Sequence, residues 1–323
     1  MPYLDFTTDN FFHIFTKLLK DDKPCWISRL GGSDYIAYEH IYEKGFDRDS
    51  RSALENIRKY NGFFDKSCVS SPPIFGKSAI IYLDSINNSD LTLLVAMPED
   101  QAINRLYTNN LNKKFIKEMD LYHKQVSYYS FIESVEPFLK SFKIWGEGKK
   151  ILVISPFEDT IKFQTSGNRL NNLLNGYEFP KCEFKTYRTP ITYNSSDWQS
   201  NYFNKVTENH DNWIELSKQM LDDISSIDFD IAFISAGLYS MFLGHRIKTE
   251  LKKKSIYIGG MLNVLFNFYG SRYDTSFFRK FKNLQYEIDP LDDFGDLLSN
   301  NSNNRYDVSE GLNAYFRGRP HGL

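Results

Sequence analysis

The chain has 323 residues, of which 41% are hydrophobic and 25% are charged, a composition typical of soluble globular proteins. Its formal net charge of -2 gives no overall attraction to nucleic acid or to an anionic membrane, so neither is an expected partner. Three widely separated cysteines form neither a disulfide framework nor a zinc pattern. The first residues lack the features of a signal peptide, and no apolar run is long enough to span a bilayer, so we expect a cytoplasmic protein.

The first half of the chain alternates amphipathic segments with short apolar runs. The amphipathic spacing predicts helices over 6–19, 35–42, 49–60, 74–83 and 132–142, the last interrupted near Pro137. The apolar runs predict strands over 25–28, 91–97, 125–131 and 151–154. Turns rich in Gly, Pro, Asn and Asp separate these elements.

The second half contains the most informative stretch, residues 228–273. Before it, the pattern predicts a helix over 159–174, a strand over 184–189 and a helix over 212–224. Within it, a strand (230–235), a turn of small residues, a helix (240–253) and a second strand (255–258) predict a βαβ unit. A Gly-Gly pair follows the second strand directly.

This alternation predicts an α/β fold, namely a Rossmann-like, mainly parallel sheet flanked by helices. The predicted domain covers 1–275, with a candidate subdomain joint at 192–211 and a partly mobile C-terminal extension over 276–323. In open parallel sheets, ligands bind beyond the carboxyl ends of the strands. Small residues follow several predicted strands here, so we expect the functional site at that edge.

Four segments, taken in their order along the chain, resemble a known family. They are 27–34 (ISRLGGSD), 150–157 (KILVISPF) with Gln164, 234–240 (ISAGLYS), and 258–260 (IGG) with Leu265, Phe266 and 270–272 (GSR). Together they are similar to the GT-D-type glycosyltransferases found among surface-polysaccharide genes. In that family an Arg-x-Gly-Asp-x-Glu-like segment follows the first strand, and its acidic pair binds a divalent metal and the diphosphate of a nucleotide sugar.

The resemblance implies a glycosyltransferase that moves a sugar from a nucleotide-sugar donor to a glycan acceptor in polysaccharide or glycoconjugate synthesis. It implies a catalytic and metal-binding role for Asp34 and a cofactor such as Mn²⁺ or Mg²⁺. This chain departs from the pattern, because Gly32 stands where the first acidic residue is expected and Asp34 replaces a glutamate. One carboxylate is a poor site for such an ion. Either another carboxylate joins Asp34, or cations such as Arg29 neutralise the diphosphate, or no metal is used.

The catalytic candidates are Arg29, Asp34 and Glu158. An arginine stabilises the charge that grows on a departing diphosphate. Glu158 is either a general base for the acceptor hydroxyl or a helix first-turn residue that suits the helix dipole. Asp34 has a structural alternative as a helix cap paired with Arg29.

The donor-binding candidates lie in the turns that follow the predicted strands. They are Gly31, Gly32, Ser33, Ser155, Pro156, Phe157, Ser235, Ala236, Gly237, Tyr239, Gly259, Gly260 and Arg272. Structural alternatives stay open for ten of them. These are close backbone packing at Gly259 and Gly260, a core edge at Tyr239, a solvated side chain at Arg272, and ordinary turn chemistry at Ser155, Pro156, Phe157, Ser235, Ala236 and Gly237.

Two other functions compete with transfer. The Gly32 departure is compatible with a sugar-nucleotide or glycan-binding module that has lost catalysis. A Rossmann-like methyltransferase is disfavoured, because no Gly-rich loop is followed by an acidic residue at the end of the next strand.

Overall fold

The computed structural model describes residues 8–30, 57–58, 62–66, 72–93, 126–127, 135–192, 206–270 and 273–290. Seven strands in these ranges form one all-parallel sheet. They are β1 (Trp26–Arg29), β2 (Leu91–Leu93), β3 (Val126–Ser127), β4 (Lys150–Ser155), β5 (Glu183–Arg188), β6 (Ile231–Ile234) and β7 (Lys254–Tyr257). Their order across the sheet is β3-β2-β1-β7-β6-β4-β5. The predicted Rossmann-like α/β fold is confirmed.

Helices cover both faces of this sheet. They are α1 (Thr8–Lys20), α2 (Pro72–Asn87), α3 (Val135–Trp145), α4 (Glu158–Thr165), α5 (Trp213–Ser225), α6 (Tyr239–Thr249), α7 (Met261–Leu265) and α8 (Ser276–Arg279). Helices α2, α5 and α6 pack on one face, here called the front face, and α1, α3, α4 and α7 pack on the back face. Successive side chains along a strand point to opposite faces, so each strand contributes to both cores. In β4, for example, Leu152 lies in the front core and Val153 in the back core.

Two predicted helices differ from the structure for local reasons. The helix predicted over 159–174 ends at Thr165, because Ser166 is extended and Gly167 takes a positive φ of 54°. The predicted interruption near Pro137 does not occur, since α3 begins at Val135 and Pro137 lies in its first turn, where no intrahelical N–H bond is lost. The helices predicted over 35–42 and 49–60 lie outside the described residues, except for 57–58.

The chain after α7 forms a strap over α4, here called the C-terminal strap (residues 267–288). The buried amide of Gln164 donates to the carbonyl oxygens of Asn267 (2.8 Å) and Tyr286 (3.0 Å). The ammonium group of Lys282 donates to the carbonyl of Phe268 and forms a fully buried ion pair with Glu287. The described part of the predicted C-terminal extension therefore packs against the sheet domain. Within the described ranges, none of the helices has the length and apolar character needed to cross a bilayer.

The connections after β4 and β6 separate at the carboxyl edge of the sheet. These two strands are direct neighbours. The helix after β4 is α4, whose Ile161 packs on the back face, whereas the helix after β6 is α6, whose Leu243 packs on the front face. Such a divergence marks a topological switch point, and ligands bind beside such points in open α/β sheets.

Candidate functional site

The predicted site segments that follow β7, β6 and β4 lie at one edge of the sheet, where β1 also ends. Backbone hydrogen bonds join their ends: Ser235 N donates to Ile154 O (2.9 Å), and Gly259 N donates to Ile234 O (3.1 Å). Strand neighbours are about 4.8 Å apart, so the ends of β1 and β4, three steps apart, are separated by roughly 14 Å. Five predicted residues lie outside the described part of the chain: Gly31, Gly32, Ser33, Asp34 and Arg272.

Arg29 ends β1 at this edge, and its guanidinium faces the neighbouring strand β7. Its Cζ lies 5.8 Å from the ring centroid of Tyr257, within cation–π range. Its Nε is buried and has no hydrogen-bond partner among the described residues. A guanidinium is always charged and offers five N–H donors in a planar fork. Arg29 is therefore a cation with unused donor capacity at the edge where ligands bind.

Gly259 and Gly260 are close-packed, each against a different side chain. A Cβ added at Gly259 would lie 2.2 Å from Nη1 of Arg29, and one at Gly260 would lie 1.7 Å from the hydroxyl of Tyr273. Gly259 also has a positive φ of 57°, which favours glycine. Of the two alternatives for this pair, packing is visible at both positions, and at Gly259 the neighbour is the candidate arginine itself.

The turn after β6 leads into α6 without any acidic residue. Gly237 has a positive φ of 55°, and the first turn of α6 contains no Asp or Glu. The Oγ of Ser240 accepts a hydrogen bond from Ala236 N (2.9 Å), and Ser235 is only half-buried. The amides of Gly237 and Leu238 have no backbone acceptor within the described ranges. This turn presents N–H groups and the positive end of a helix dipole.

Tyr239 belongs to the front core. Only 2% of it is exposed, its ring meets Trp213 edge-on at 6.1 Å, and its hydroxyl forms a hydrogen bond with Thr192. The predicted stacking on a base or sugar would need an open ring face, which this arrangement does not provide.

The residues of the turn after β4 pack against the core and form hydrogen bonds with one another. The buried Oγ of Ser155 accepts from Phe157 N (3.3 Å), and Pro156 is also buried. The ring of Phe157 lies 4.9 Å from that of Phe268 in the C-terminal strap. These three predicted donor-binding residues support the back core and turn no exposed side chain toward the edge.

Glu158 opens α4 and is held by three neighbours. Its carboxylate accepts hydrogen bonds from Thr186 Oγ1 (2.9 Å) and Arg188 Nε (3.2 Å), and it pairs with Lys162 Nζ (3.0 Å). The same arginine forms an ion pair with Asp159. Two first-turn carboxylates therefore neutralise the α4 dipole and are themselves neutralised by Arg188 and Lys162.

The surroundings of Glu158 favour its charged form. Burial raises the pKa of the carboxyl, but the hydrogen bonds from Lys162 and Thr186, with the charges of Lys162 and Arg188, outweigh burial and leave the pKa below its usual value. A general base is most effective when its pKa is near the working pH. The geometry thus agrees with the first-turn alternative for Glu158.

The described residues include no group of three or more His, Cys, Asp or Glu side chains that could hold a metal ion. Asp34, the predicted metal ligand, is outside these ranges.

A groove lies elsewhere, between α2 and α5 on the outside of the front layer. It has a volume of about 310 Å³, and its lining residues are Ile74, Lys77, Ile80, Ile81, Asn212, Ile214, Glu215 and Lys218. Half of its lining residues are isoleucines, and its charged side chains are two lysines and one glutamate. Because polar groups that converge are what orient a ligand, the carboxyl edge is the better candidate.

Sequence reasoning missed three residues that shape this edge: Tyr257 beside Arg29, and Thr186 and Arg188 beside Glu158. Tyr257 is part of an apolar run that predicts only a strand. The two β5 residues become neighbours of Glu158 through the register of β5 with β4, in which Ser155 pairs with Arg188. Only the strand order would have identified them.

No family model, no curated protein and no solved structure matches this chain. The case for function therefore depends on the geometry and on the residues themselves.

Proposed function

We propose that this protein is a nucleotide-sugar-dependent glycosyltransferase that moves a sugar from its donor to a glycan acceptor. The observation that supports this proposal most directly is the unsatisfied hydrogen-bonding capacity of Arg29. Its Nε is buried at the carboxyl edge without a hydrogen-bond partner among the described residues. A buried donor without an acceptor costs about 1–3 kcal/mol. A diphosphate would supply acceptors to the guanidinium group, since Arg29 is partly exposed although its Nε is covered.

Sugar transfer needs a positively charged group beside the diphosphate of the donor. The bond between the anomeric carbon and the diphosphate oxygen breaks, and negative charge grows on the leaving diphosphate. The guanidinium fork of Arg29 matches phosphate oxygens. The turn at Gly237 adds backbone N–H groups and the positive end of α6, whose first turn has no competing carboxylate.

The edge near β4 is a poorer place for the diphosphate. Glu158 and Asp159 occupy the first turn of α4 and are paired with Lys162 and Arg188, so the positive end of this helix and both cations are already engaged. We therefore locate the diphosphate over the ends of β1, β7 and β6. Since Glu158 is held by three partners, the group that accepts the acceptor's proton is assigned to none of the described carboxylates. Asp34 stays the proposed catalytic carboxylate, acting by itself or through Mn²⁺ or Mg²⁺.

One observation favours a second function. Glu158 is the candidate general base among the described residues, and its carboxylate is already engaged in hydrogen bonds and ion pairs. A sugar-nucleotide or glycan-binding module without catalysis would need Arg29 but no base. This second candidate predicts binding without turnover.

The test is a panel of UDP-, GDP- and ADP-sugars, with and without Mn²⁺, in which release of nucleoside diphosphate and thermal stabilisation are both measured. A transferase releases nucleoside diphosphate and loses this activity in Arg29→Ala and Asp34→Ala. Arg188→Ala, an arginine at the same sheet edge, is the matched control and should retain it. Stabilisation without release would favour the binding module. Absence of both in the wild-type protein, or full activity in Arg29→Ala, would refute the proposal.

A further inference from the structure

Two residues at the end of β7 surround the guanidinium of Arg29. We propose that Gly259 and Tyr257 are positioning residues, which hold this guanidinium at the carboxyl edge in the orientation that binds a diphosphate. The inference rests on the proposed function, because diphosphate binding by Arg29 is part of it. It adds that the arginine depends on β7 for its position.

The first contact is that between the guanidinium of Arg29 and the backbone at Gly259, which has no side chain to fill this space. A Cβ there would lie 2.2 Å from Nη1 of Arg29, far inside the roughly 3.5 Å at which heavy atoms make favourable contact. It would also lie 3.5 Å from Cε2 of Tyr257. Any larger residue at this position must therefore displace the guanidinium. The positive φ of Gly259 is a separate requirement, which concerns the backbone rather than Arg29.

The second contact is the ring of Tyr257. It is 7% exposed, so it is held by the front core, and the Cζ of Arg29 lies 5.8 Å from its centroid. A cation over a fixed ring is attracted to it and loses side-chain freedom. Gly259 thus leaves the space that the guanidinium occupies, and Tyr257 restricts the guanidinium within that space, before any ligand arrives. Such restriction lowers the entropic cost of binding.

Gly260 differs from Gly259 in this respect. Its missing side chain makes room for the hydroxyl of Tyr273 and not for Arg29. The two consecutive glycines therefore have separate partners. If the proposal is right, only the first of them acts through the arginine.

The test is a double-mutant cycle on the full chain, with inorganic pyrophosphate as the ligand and calorimetric titration as the readout. Arg29→Ala should weaken pyrophosphate binding by about tenfold or more, as expected for hydrogen bonds to a charged group. Gly259→Ala should weaken it by about threefold to tenfold when Arg29 is present, and by less than about twofold when Arg29 is already alanine.

The matched control is Gly167→Ala. Gly167 has a φ of 54°, close to the 57° of Gly259, but no atom lies within 4 Å of the added Cβ. It therefore introduces the same backbone strain without crowding an arginine. Pyrophosphate affinity should be unchanged in this variant.

A second pair of variants avoids the glycine turn, in case Gly259→Ala does not fold. Tyr257→Leu should weaken pyrophosphate binding about twofold to fivefold, whereas Tyr257→Phe, which keeps a ring, should stay near the wild-type value. The effect of Tyr257→Leu should vanish in the Arg29→Ala background.

Each outcome has a distinct meaning. If Gly259→Ala and Tyr257→Leu weaken binding equally with and without Arg29, the positioning role is refuted while Arg29 can still bind the anion. If Arg29→Ala leaves pyrophosphate affinity unchanged, or the wild-type protein does not bind pyrophosphate, the anion site in the proposed function is itself overturned.

Discussion

The ends of β4 and β7 lie at the same edge of one sheet, yet their chemistry is opposite. After β4, Glu158 and Asp159 are matched by Arg188 and Lys162, and the turn is packed against the C-terminal strap. After β7, Gly259 meets the guanidinium of Arg29, whose Nε has no hydrogen-bond partner in the described part of the chain. The charged groups at the first strand end are paired with one another, whereas the second keeps a buried donor that has no acceptor among the described residues.

This difference shows why small residues at a strand end do not by themselves define a site. The turn after β4 has the serine and proline that suggest ligand binding, but its polar groups are already used. A ligand gains most where a charged donor is buried without an acceptor, since leaving it unsatisfied is costly. By that criterion the end of β7 fits the proposed anion site better than the end of β4.

The largest expected effect is on the free energy of unfolding, for a variant in the C-terminal strap that packs against the turn after β4. Lys282→Met should lower the free energy of unfolding by about 3–5 kcal/mol, because it removes the buried cation that forms an ion pair with the buried carboxylate of Glu287. Urea denaturation measures this. Adding Glu287→Leu should recover part of the loss, and Lys181→Met, at an exposed lysine, should change stability by less than about 0.5 kcal/mol. A loss below 1 kcal/mol in Lys282→Met would show that the strap is not structural.

The next effect concerns the β7 end. Arg29→Met should lower release of nucleoside diphosphate roughly 100-fold, the usual cost of removing a donor that stabilises developing charge. The free energy of unfolding should stay the same or rise, because the variant removes a buried donor without an acceptor. Parallel activity assays and urea melts test this. A variant that loses stability and activity together would make Arg29 a structural residue, like those at the β4 end.

A smaller effect is expected for Tyr239. Tyr239→Phe should lower the free energy of unfolding by about 1 kcal/mol, since it removes the hydroxyl that bonds to Thr192 and leaves the buried ring in place. Affinity for a nucleotide sugar should be unaffected. A clear loss of donor affinity with unchanged stability would restore the stacking role predicted from the sequence.

The smallest expected effect is on the stability of Glu158→Gln, and it distinguishes a general base from a first-turn residue that suits the helix dipole. The pKa of Glu158 is lower in the folded protein than the usual 4.5, so its contribution to stability is present above about pH 4.5 and is lost as the pH falls through the lowered pKa. Glu158→Gln should therefore cost about 0.2–1 kcal/mol at pH 7 and less in acid. Denaturation at pH 7 and pH 3 measures the difference. Turnover should stay within about threefold of wild type, and a loss above 100-fold would make Glu158 the general base.

The amino-acid sequence determined the local elements of this protein. Apolar runs of four to six residues fixed strands β4, β6 and β7, and the spacing of apolar residues with the cap Asn212 fixed α5 to within one residue at each end. These features arise from hydrophobic periodicity and capping, which involve residues near in the chain. The α/β class and the choice of the carboxyl edge followed from their alternation.

Only the tertiary structure decided which strand ends became neighbours and which polar groups were already satisfied. Arg29 is more than 200 residues from Gly259, and they meet because β1 pairs with β7, a pairing between strands that are distant in the chain. Glu158 is held by Arg188 through the pairing of β4 with β5. Parallel pairing joins segments that share no local signal, so a periodic pattern cannot specify it.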